Sequence, residues 1–280
     1  MTAGTGTPPP GVAEMASASD PVGVFDSGIG GLSVLREIRR LLPREDLCYV
    51  ADSAYMPYGE KPKALVRERA LKIARFLVNE QHCKAIVVAC NTATGIAVDL
   101  LRSEIEVPVI AIEPAIKPAS EITKSGVIGV MATPGTLSGE KFGELHSRFS
   151  RDRKILSRPC PGLAREIESG KLHSIRLRKL LARFIKPLVD QNADVIVLGC
   201  THYPFVNPLI RELAGQEIRI IDSGEAVAKQ LQRKLAASGL LNRSAKEGRE
   251  YFWCSSETDA CRKIMASLWR GDVCTLPFTA

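Results

Sequence analysis

The chain has 280 residues, 45% of them hydrophobic and 25% charged, and its 38 Lys and Arg against 31 Asp and Glu leave a net charge of +7 with His neutral. So much apolar material excludes a disordered chain, and at this length about three-quarters of the unfolded surface can be buried without disulfide or metal staples. The longest apolar runs, such as Ala85 to Cys90, are far shorter than the ~18 residues of a membrane span, so no membrane partner is expected.

Residues 1–20 hold three prolines and many small residues, but no Lys or Arg and no apolar core. A flexible tail is predicted there, and neither a secretory signal nor a transit peptide. Strands are predicted at 22–25, 47–51, 85–89, 107–112, 127–131, 154–157, 194–198 and 218–221, with helices between them. Ser33 to Leu42 places Val34, Leu35, Ile38, Leu41 and Leu42 inward, and Pro43 stops it. Lys63 to Val78 puts Val66, Ala70, Ile73 and Leu77 on one stripe, and Ile175 to Leu188 does the same with Leu177, Leu181, Phe184 and Leu188. Glu225 to Leu235 is followed by Gly239, a suitable helix stop. Continuous apolar strands separated by amphipathic helices require parallel sheets covered on both faces.

The chain also repeats. Gly23-Val24-Phe25-Asp26 is echoed by Gly129-Val130-Met131-Ala132, Ile86 to Cys90 by Ile196 to Cys200, and Val109 to Ile112 by Arg219 to Asp222, at offsets of 106 to 110 in the same order. The predicted fold class is therefore α/β: two pseudosymmetric open domains with mainly parallel sheets and an active site in the cleft between them. The first domain would comprise 21–114 plus 226–280, whose end packs back on the first half, and the second 115–225.

The basic residues are spread out. Stretches such as Arg148 to Arg153 and Arg176 to Lys179 are broken by apolar residues, which reads as a solvated face, and no nucleic-acid partner is expected. The eight cysteines form no Cys-x-x-Cys pair, so zinc and thioredoxin-type sites lose their main signal and no metal is expected. Several lie in apolar runs, as free buried thiols of a reducing cytoplasm would.

Ligands of an open α/β sheet bind at the carboxyl ends of its strands, and four motifs fall there. Asp26-Ser27-Gly28-Ile29-Gly30-Gly31-Leu32-Ser33 joins a strand to a helix as a phosphate loop would, but a carboxylate at its mouth would repel a pyrophosphate. It reads better as a tight turn holding a functional Asp26, with plain helix capping by Asp26 as the alternative. Asp52 to Gly59 is a loop rich in turn formers. Cys90-Asn91-Thr92-Ala93-Thr94 and Cys200-Thr201-His202-Tyr203-Pro204 each end a buried strand, where amide dipoles should lower a thiol pKa.

One cysteine at such a place is usually a small core residue. Two at repeat-equivalent positions would face each other across a cleft, and His202 stands two residues from Cys200, able to take or hold its proton. Disulfide exchange is one use for two opposed thiols. The other is removal of a proton from one face of a carbon acid and delivery to the opposite face, which inverts a stereocentre. Its reverse direction swaps the two roles, so like residues in a symmetric cleft suit it.

In the strings GVFDSGIGGLSVLREI, DSAYMPYG, ACNTA and LGCTHYP, taken in this order over about residues 22–275, the chain resembles the glutamate racemases of the aspartate/glutamate racemase family. Glu113-Pro114 and the turn from Thr133 to Thr136 also fit. The resemblance implies interconversion of L- and D-glutamate without cofactor or metal, in the cytoplasm, supplying D-glutamate for peptidoglycan. It further implies two domains around the substrate, a homodimer, and in some members activation by a cell-wall precursor. It maps Cys90 and Cys200 as the two acid/base groups, Cys90 working on D-glutamate and Cys200 on L-glutamate. Asp26 would assist Cys90. His202 would assist Cys200 with an acid in the segment after Cys160, Glu168 fitting better than Glu166. Substrate contacts map onto Asp26, Ser27, Pro57, Tyr58, Gly59, Asn91, Thr92, Thr133, Thr201 and His202. Ser53 stands where the family often has Thr, and keeps the hydroxyl. An aspartate or hydantoin-type racemase, and a non-catalytic protein on the same scaffold, are the competing readings.

Overall fold

Two wholly parallel sheets organise the chain, described here from a computed structural model over residues 16–256, 258–269 and 271–279. The first is built from β1 (Val22–Asp26), β2 (Leu47–Ala51), β3 (Ala85–Val88) and β4 (Val109–Ala111), the second from β5 (Val127–Ala132), β6 (Lys154–Pro159), β7 (Val195–Gly199) and β8 (Arg219–Ile221). Both follow the same order, β2-β1-β3-β4 and β6-β5-β7-β8. The sequence repeat is thus a repeat of topology, with β5 in the place of β1 and β7 in the place of β3. The end of the chain adds β9 (Glu250–Cys254) and β10 (Thr275–Pro277) beside β2, completing a six-stranded first sheet. Neither strand is among those predicted.

Helices alternate with the strands: α1 (Leu32–Leu41), α2 (Lys63–Arg75), α3 (Asn91–Glu104), α4 (Ile116–Ile122), α5 (Pro134–Leu137), α6 (Glu140–Phe149), α7 (Leu163–Glu168), α8 (Ile175–Val189), α9 (Asn207–Ala214), α10 (Gly224–Ala237) and α11 (Thr258–Trp269). The helix predicted to reach Val78 leaves α geometry at Phe76 for one π-helical turn. The apolar stripes face where the spacing put them. Leu35 and Ile38 of α1 join Leu231 and Leu235 of α10 and Met265 of α11 on one face of the first sheet, while Ala70, Ile73 and Leu77 meet Ala97 and Leu101 on the other. Leu181, Phe184 and Leu188 of α8 cover one face of the second sheet, and Ile116 and Phe142 the other. Strands covered on both faces are apolar throughout, and β1, β2, β3 and β7 are buried at every residue.

Two expectations are modified. The tail predicted at 1–20 lies outside the described residues as far as residue 15, but Ser17 to Asp20 form a hydrogen-bonded turn, and buried Lys84 donates to the Ala18 carbonyl at 2.6 Å while pairing with Glu45. Cys254 and Cys261 are joined as a disulfide, because the turn from β9 into α11 brings their Cα atoms to 6.8 Å, so the eight cysteines are not all free. Cys48, Cys83, Cys90, Cys160 and Cys200 are free and buried. Among the described residues no helix is long and apolar enough to cross a membrane.

Candidate active site

In each sheet the chain turns to opposite sides after its first strand, so a crevice opens where β1 and β3, or β5 and β7, end side by side. Asp26 and Cys90 stand at the first pair of ends; Thr133 and Cys200 stand at the second. The two crevices face each other and share one small cavity, lined by Ser27, Pro57, Tyr58, Gly59, Cys90, Asn91, Thr92, Thr133, Thr136, Ala164, Gly199, Cys200, Thr201 and His202. Both cysteines therefore border the same small space, and a second pocket that shares Pro57, Gly59, Thr133 and Ala164 with it is lined by Pro161, Glu60 and Arg165, the last two joined as an ion pair.

Cys90 caps α3, its sulfur accepting from the Ala93 N–H at 3.4 Å, and its thiol faces the Ser27 hydroxyl at 3.7 Å. The helix-end contact is the one foreseen, but the expected fall in pKa is reversed. Burial, then the charge of Asp26, push the Cys90 thiol up to about 12, against the Ala93 amide and the Ser27 hydroxyl. Asp26 is wholly buried. It accepts from the Gly28 N–H at 2.9 Å and from the Thr201 hydroxyl, across the cleft, at 2.9 Å. It caps no helix, since Gly31 occupies the N-cap of α1. Nor does it border the cavity, as expected of a substrate contact; it lies one layer behind Ser27 and Thr201. Burial raises its pKa, opposed by nearby His202, the Gly28 amide and Thr201.

On the opposite wall, His202 Nδ1 lies 3.8 Å from the Cys200 sulfur, and its Nε2 lies 2.5 Å from the Glu168 carboxylate. Burial disfavours a charged imidazole. Hydrogen bonds with Cys200 and Glu168, and their negative charge, outweigh it and raise the His202 pKa well above its usual value. The choice between two glutamates is decided by position: Glu166 instead meets Ser174 and Arg176 on the outer side of α7. Glu168 also receives the Ser53 hydroxyl at 2.9 Å and the Ile29 N–H at 3.2 Å, both from the first half of the molecule.

The glycine-rich turn now has a physical reason other than a phosphate. A Cβ on Gly28 would sit 2.6 Å from a Glu168 oxygen, and one on Gly30 would strike the His202 ring and sit 2.7 Å from the Thr201 hydroxyl. Bare backbone lets the acid and the imidazole of the other half press against this turn.

The remaining wall is polar but uncharged. Thr92, Thr133 and Thr136 hydroxyls form a triangle with sides of 2.9 to 3.1 Å, bridging the two halves. Asn91 has a buried amide oxygen without a protein partner, a group that needs a ligand or water to satisfy it. Tyr58 donates to Asp52 at 2.6 Å, and Asp52 is gripped by Arg69 at 2.8 and 3.0 Å, all buried. Thr136, Ala164 and Gly199 border the cavity unforeseen, and Ser53 stands behind it. Thr136 had a signal in the Thr133-to-Thr136 turn, and Gly199 and Ser53 lie in the quoted strings; Ala164 had none, because only tertiary packing brings it there.

A family model described as Asp/Glu/Hydantoin racemase matches residues 22–231. The glutamate racemase of Methylococcus capsulatus is 48% identical over 257 residues, 92% of this chain and 94% of that protein. A glutamate racemase isoform of Bacillus anthracis superposes with a TM-score of 0.85 at 30% identity, covering 93% of this chain and 97% of the other. The Escherichia coli glutamate racemase, solved with L-glutamate and the activator UDP-MurNAc-ala, superposes with a TM-score of 0.79 at 29% identity, covering 93% and 100%. Matched over most of its length by sequence and by fold, the chain belongs to the Asp/Glu/hydantoin racemase family.

Proposed function

We propose that this protein is a glutamate racemase that inverts Cα by two-base proton transfer between Cys200 and Cys90, with neither metal nor organic cofactor. One observation carries the reading: two buried thiols at topologically equivalent strand ends border one small cavity, each backed by its own proton-handling group. The relatives named above supply the substrate.

The two thiols stand in different surroundings. His202, whose hydrogen bonds with Cys200 and Glu168 raise its basicity against burial, is placed to take and hold the Cys200 proton, while burial and Asp26 keep Cys90 a thiol. The Cys200 thiolate takes the α-proton of L-glutamate. The Cys90 thiol gives its proton to the opposite face, and D-glutamate leaves with Cys200 protonated and Cys90 as the thiolate. The reverse reaction starts from that second state. Because the α-proton of an amino acid is far less acidic than a thiol, the carbanion needs fixed dipoles around it. Asn91, Thr92 and Thr201, with Ser27 and the Pro57-Tyr58-Gly59 backbone, supply donors without a formal charge on the wall, and Thr133 and Thr136 extend the set towards the distal carboxylate. Asp26 acts on Cys90 from behind rather than on the substrate.

The same reading divides the chain into a first domain of 21–114 plus 226–280 and a second of 115–225. It places the enzyme in the cytoplasm, as a homodimer feeding D-glutamate to peptidoglycan, with a nucleotide-linked wall precursor as activator. The decisive assay is optical: purified protein, dialysed against chelator and free of pyridoxal phosphate, should racemise D-glutamate but not aspartate or hydantoins. Cys90→Ser and Cys200→Ser should each lose roughly 10²- to 10⁴-fold in kcat while keeping the native far-UV spectrum. A Cys200→Ala variant that turned over at the wild-type rate would refute the two-thiol scheme.

A further inference from the structure

The β1–α1 turn and the loop after β2 do more than line the first half of the cleft. Both reach across it to the acid of the second half. The Glu168 carboxylate accepts from the Ser53 hydroxyl at 2.9 Å and from the Ile29 N–H at 3.2 Å, and passes its other contact to His202 at 2.5 Å. His202 in turn faces the Cys200 sulfur at 3.8 Å. Glu168 ends α7, and its backbone belongs to the half built on the second sheet. Without Ser53 and Ile29, His202 is the one hydrogen-bond partner left to this carboxylate among the described residues.

We propose that Ser53 is a positioning residue for this acid/base group: it fixes the Glu168 carboxylate on His202, so that the imidazole is aligned on Cys200 only while the two halves are closed on each other. The inference rests on the racemase reading given above. It makes closure a chemical requirement for Cys200, beyond excluding water. The ionisable groups that face His202 are Cys200 beside it, Glu168 from α7 and Asp26 from the end of β1. Of these only Glu168 is held from across the cleft by a neutral side chain that can be removed without touching the cavity wall. A hydroxyl is what the position needs; its size is secondary, so Thr should serve as well as Ser.

The test uses Ser53→Ala, Ser53→Thr and Gly28→Ala in the full-length protein, with glutamate turnover and a histidine NMR titration measured on each. The chain has four histidines, so the His202 signal is assigned by its loss in His202→Asn. Ser53→Ala should lower kcat roughly tenfold, the worth of one hydrogen bond to a charged group, with KM within about twofold, and should move the His202 titration to lower pH. Ser53→Thr should restore both. Gly28→Ala, whose methyl group would crowd the Glu168 oxygens, should move His202 in the same direction as Ser53→Ala. Wild-type kcat and an unmoved His202 titration in Ser53→Ala would overturn the proposal, as would a Ser53→Thr variant no better than Ser53→Ala. Should wild-type protein leave glutamate unchanged while Ser53→Ala still shifts His202, the positioning stands and the racemase reading falls; turnover without the shift has the opposite meaning.

Discussion

Ionising Asp26 carries a cost. Its pKa is raised by burial from an ordinary value of 3.8, in spite of His202, the Gly28 amide and Thr201. A group with a raised folded pKa favours the fold below its unfolded pKa and loses that contribution as pH rises through the folded value. Ionisation of Asp26 therefore opposes folding. Asp26→Asn retains an oxygen for the Gly28 N–H and an amide that can donate to the Thr201 hydroxyl. It should melt at a higher temperature than wild type at pH 7, with the gap closing as pH falls towards 4, while kcat drops roughly tenfold to a hundredfold. Thermal melts across pH check this; a variant less stable at pH 7 would contradict it. Such a trade of stability for activity is common at active sites. Asp26, Cys90, Cys200 and His202 were legible because each stands at a predicted strand end in a distinctive local string. Ser53 and Thr136 lay in strings the sequence offered, but their partners were not legible, since a hydroxyl in a loop carries no local mark of what it will meet across a cleft.

At the scale of elements, the loop after β2 depends on α2. Arg69 reaches from that helix to grip Asp52 through two nitrogens, stacks on Tyr55 at 4.1 Å, and so fixes Tyr58, which borders the cavity. Both members of the ion pair are nearly without solvent contact. Arg69→Met leaves the Asp52 carboxylate buried with the Tyr58 hydroxyl for company, and should cost about 3–5 kcal/mol in urea unfolding, the usual loss when one partner of a buried pair is removed. Arg69→Lys keeps the charge but not the forked geometry and should lose less stability. The eight strands of the repeat were readable from continuous apolar runs, and α8 from its stripe, because burial on both faces leaves an unmistakable composition. The added strands were not: β10 has three residues, ends at Pro277 and lies on the sheet edge, where proline is tolerated. Helix α3 opens on Asn91-Thr92, which the cavity uses, and runs on through Thr94-Gly95; these four are poor helix formers and conceal the helix.

The whole molecule is two similar halves held face to face by contacts that cross at strand ends. Thr201 donates to Asp26, the Ser33 hydroxyl donates to the Thr201 carbonyl at 2.9 Å, and Thr92 meets Thr133 at 3.1 Å. One contact in this seam involves no proton-transfer group. A Cβ on Gly135 would lie 2.8 Å from the Gly59 Cα and 2.9 Å from its carbonyl oxygen. Backbone cannot rotate away as a side chain can, so Gly135→Ala must separate the halves by a few tenths of an ångström at the cavity rim. Neither fold need be disturbed, because Gly135 lies in the short α5, beyond the end of β5 rather than within its sheet. The variant should melt within a few degrees of wild type, yet bind glutamate more weakly. A KM raised about tenfold with a smaller fall in kcat is the expected pattern, since the wall that receives the substrate is displaced more than the cysteines at the strand ends. The exposed Arg165–Glu60 pair at the mouth, 2.9 Å apart, is the control. Exposed pairs contribute about 0–1 kcal/mol, so Arg165→Ala should leave KM within about twofold. If Gly135→Ala matched wild type in KM, the seam at Gly59 would have slack that this packing does not allow, and closure would have to be set by the hydroxyl contacts alone.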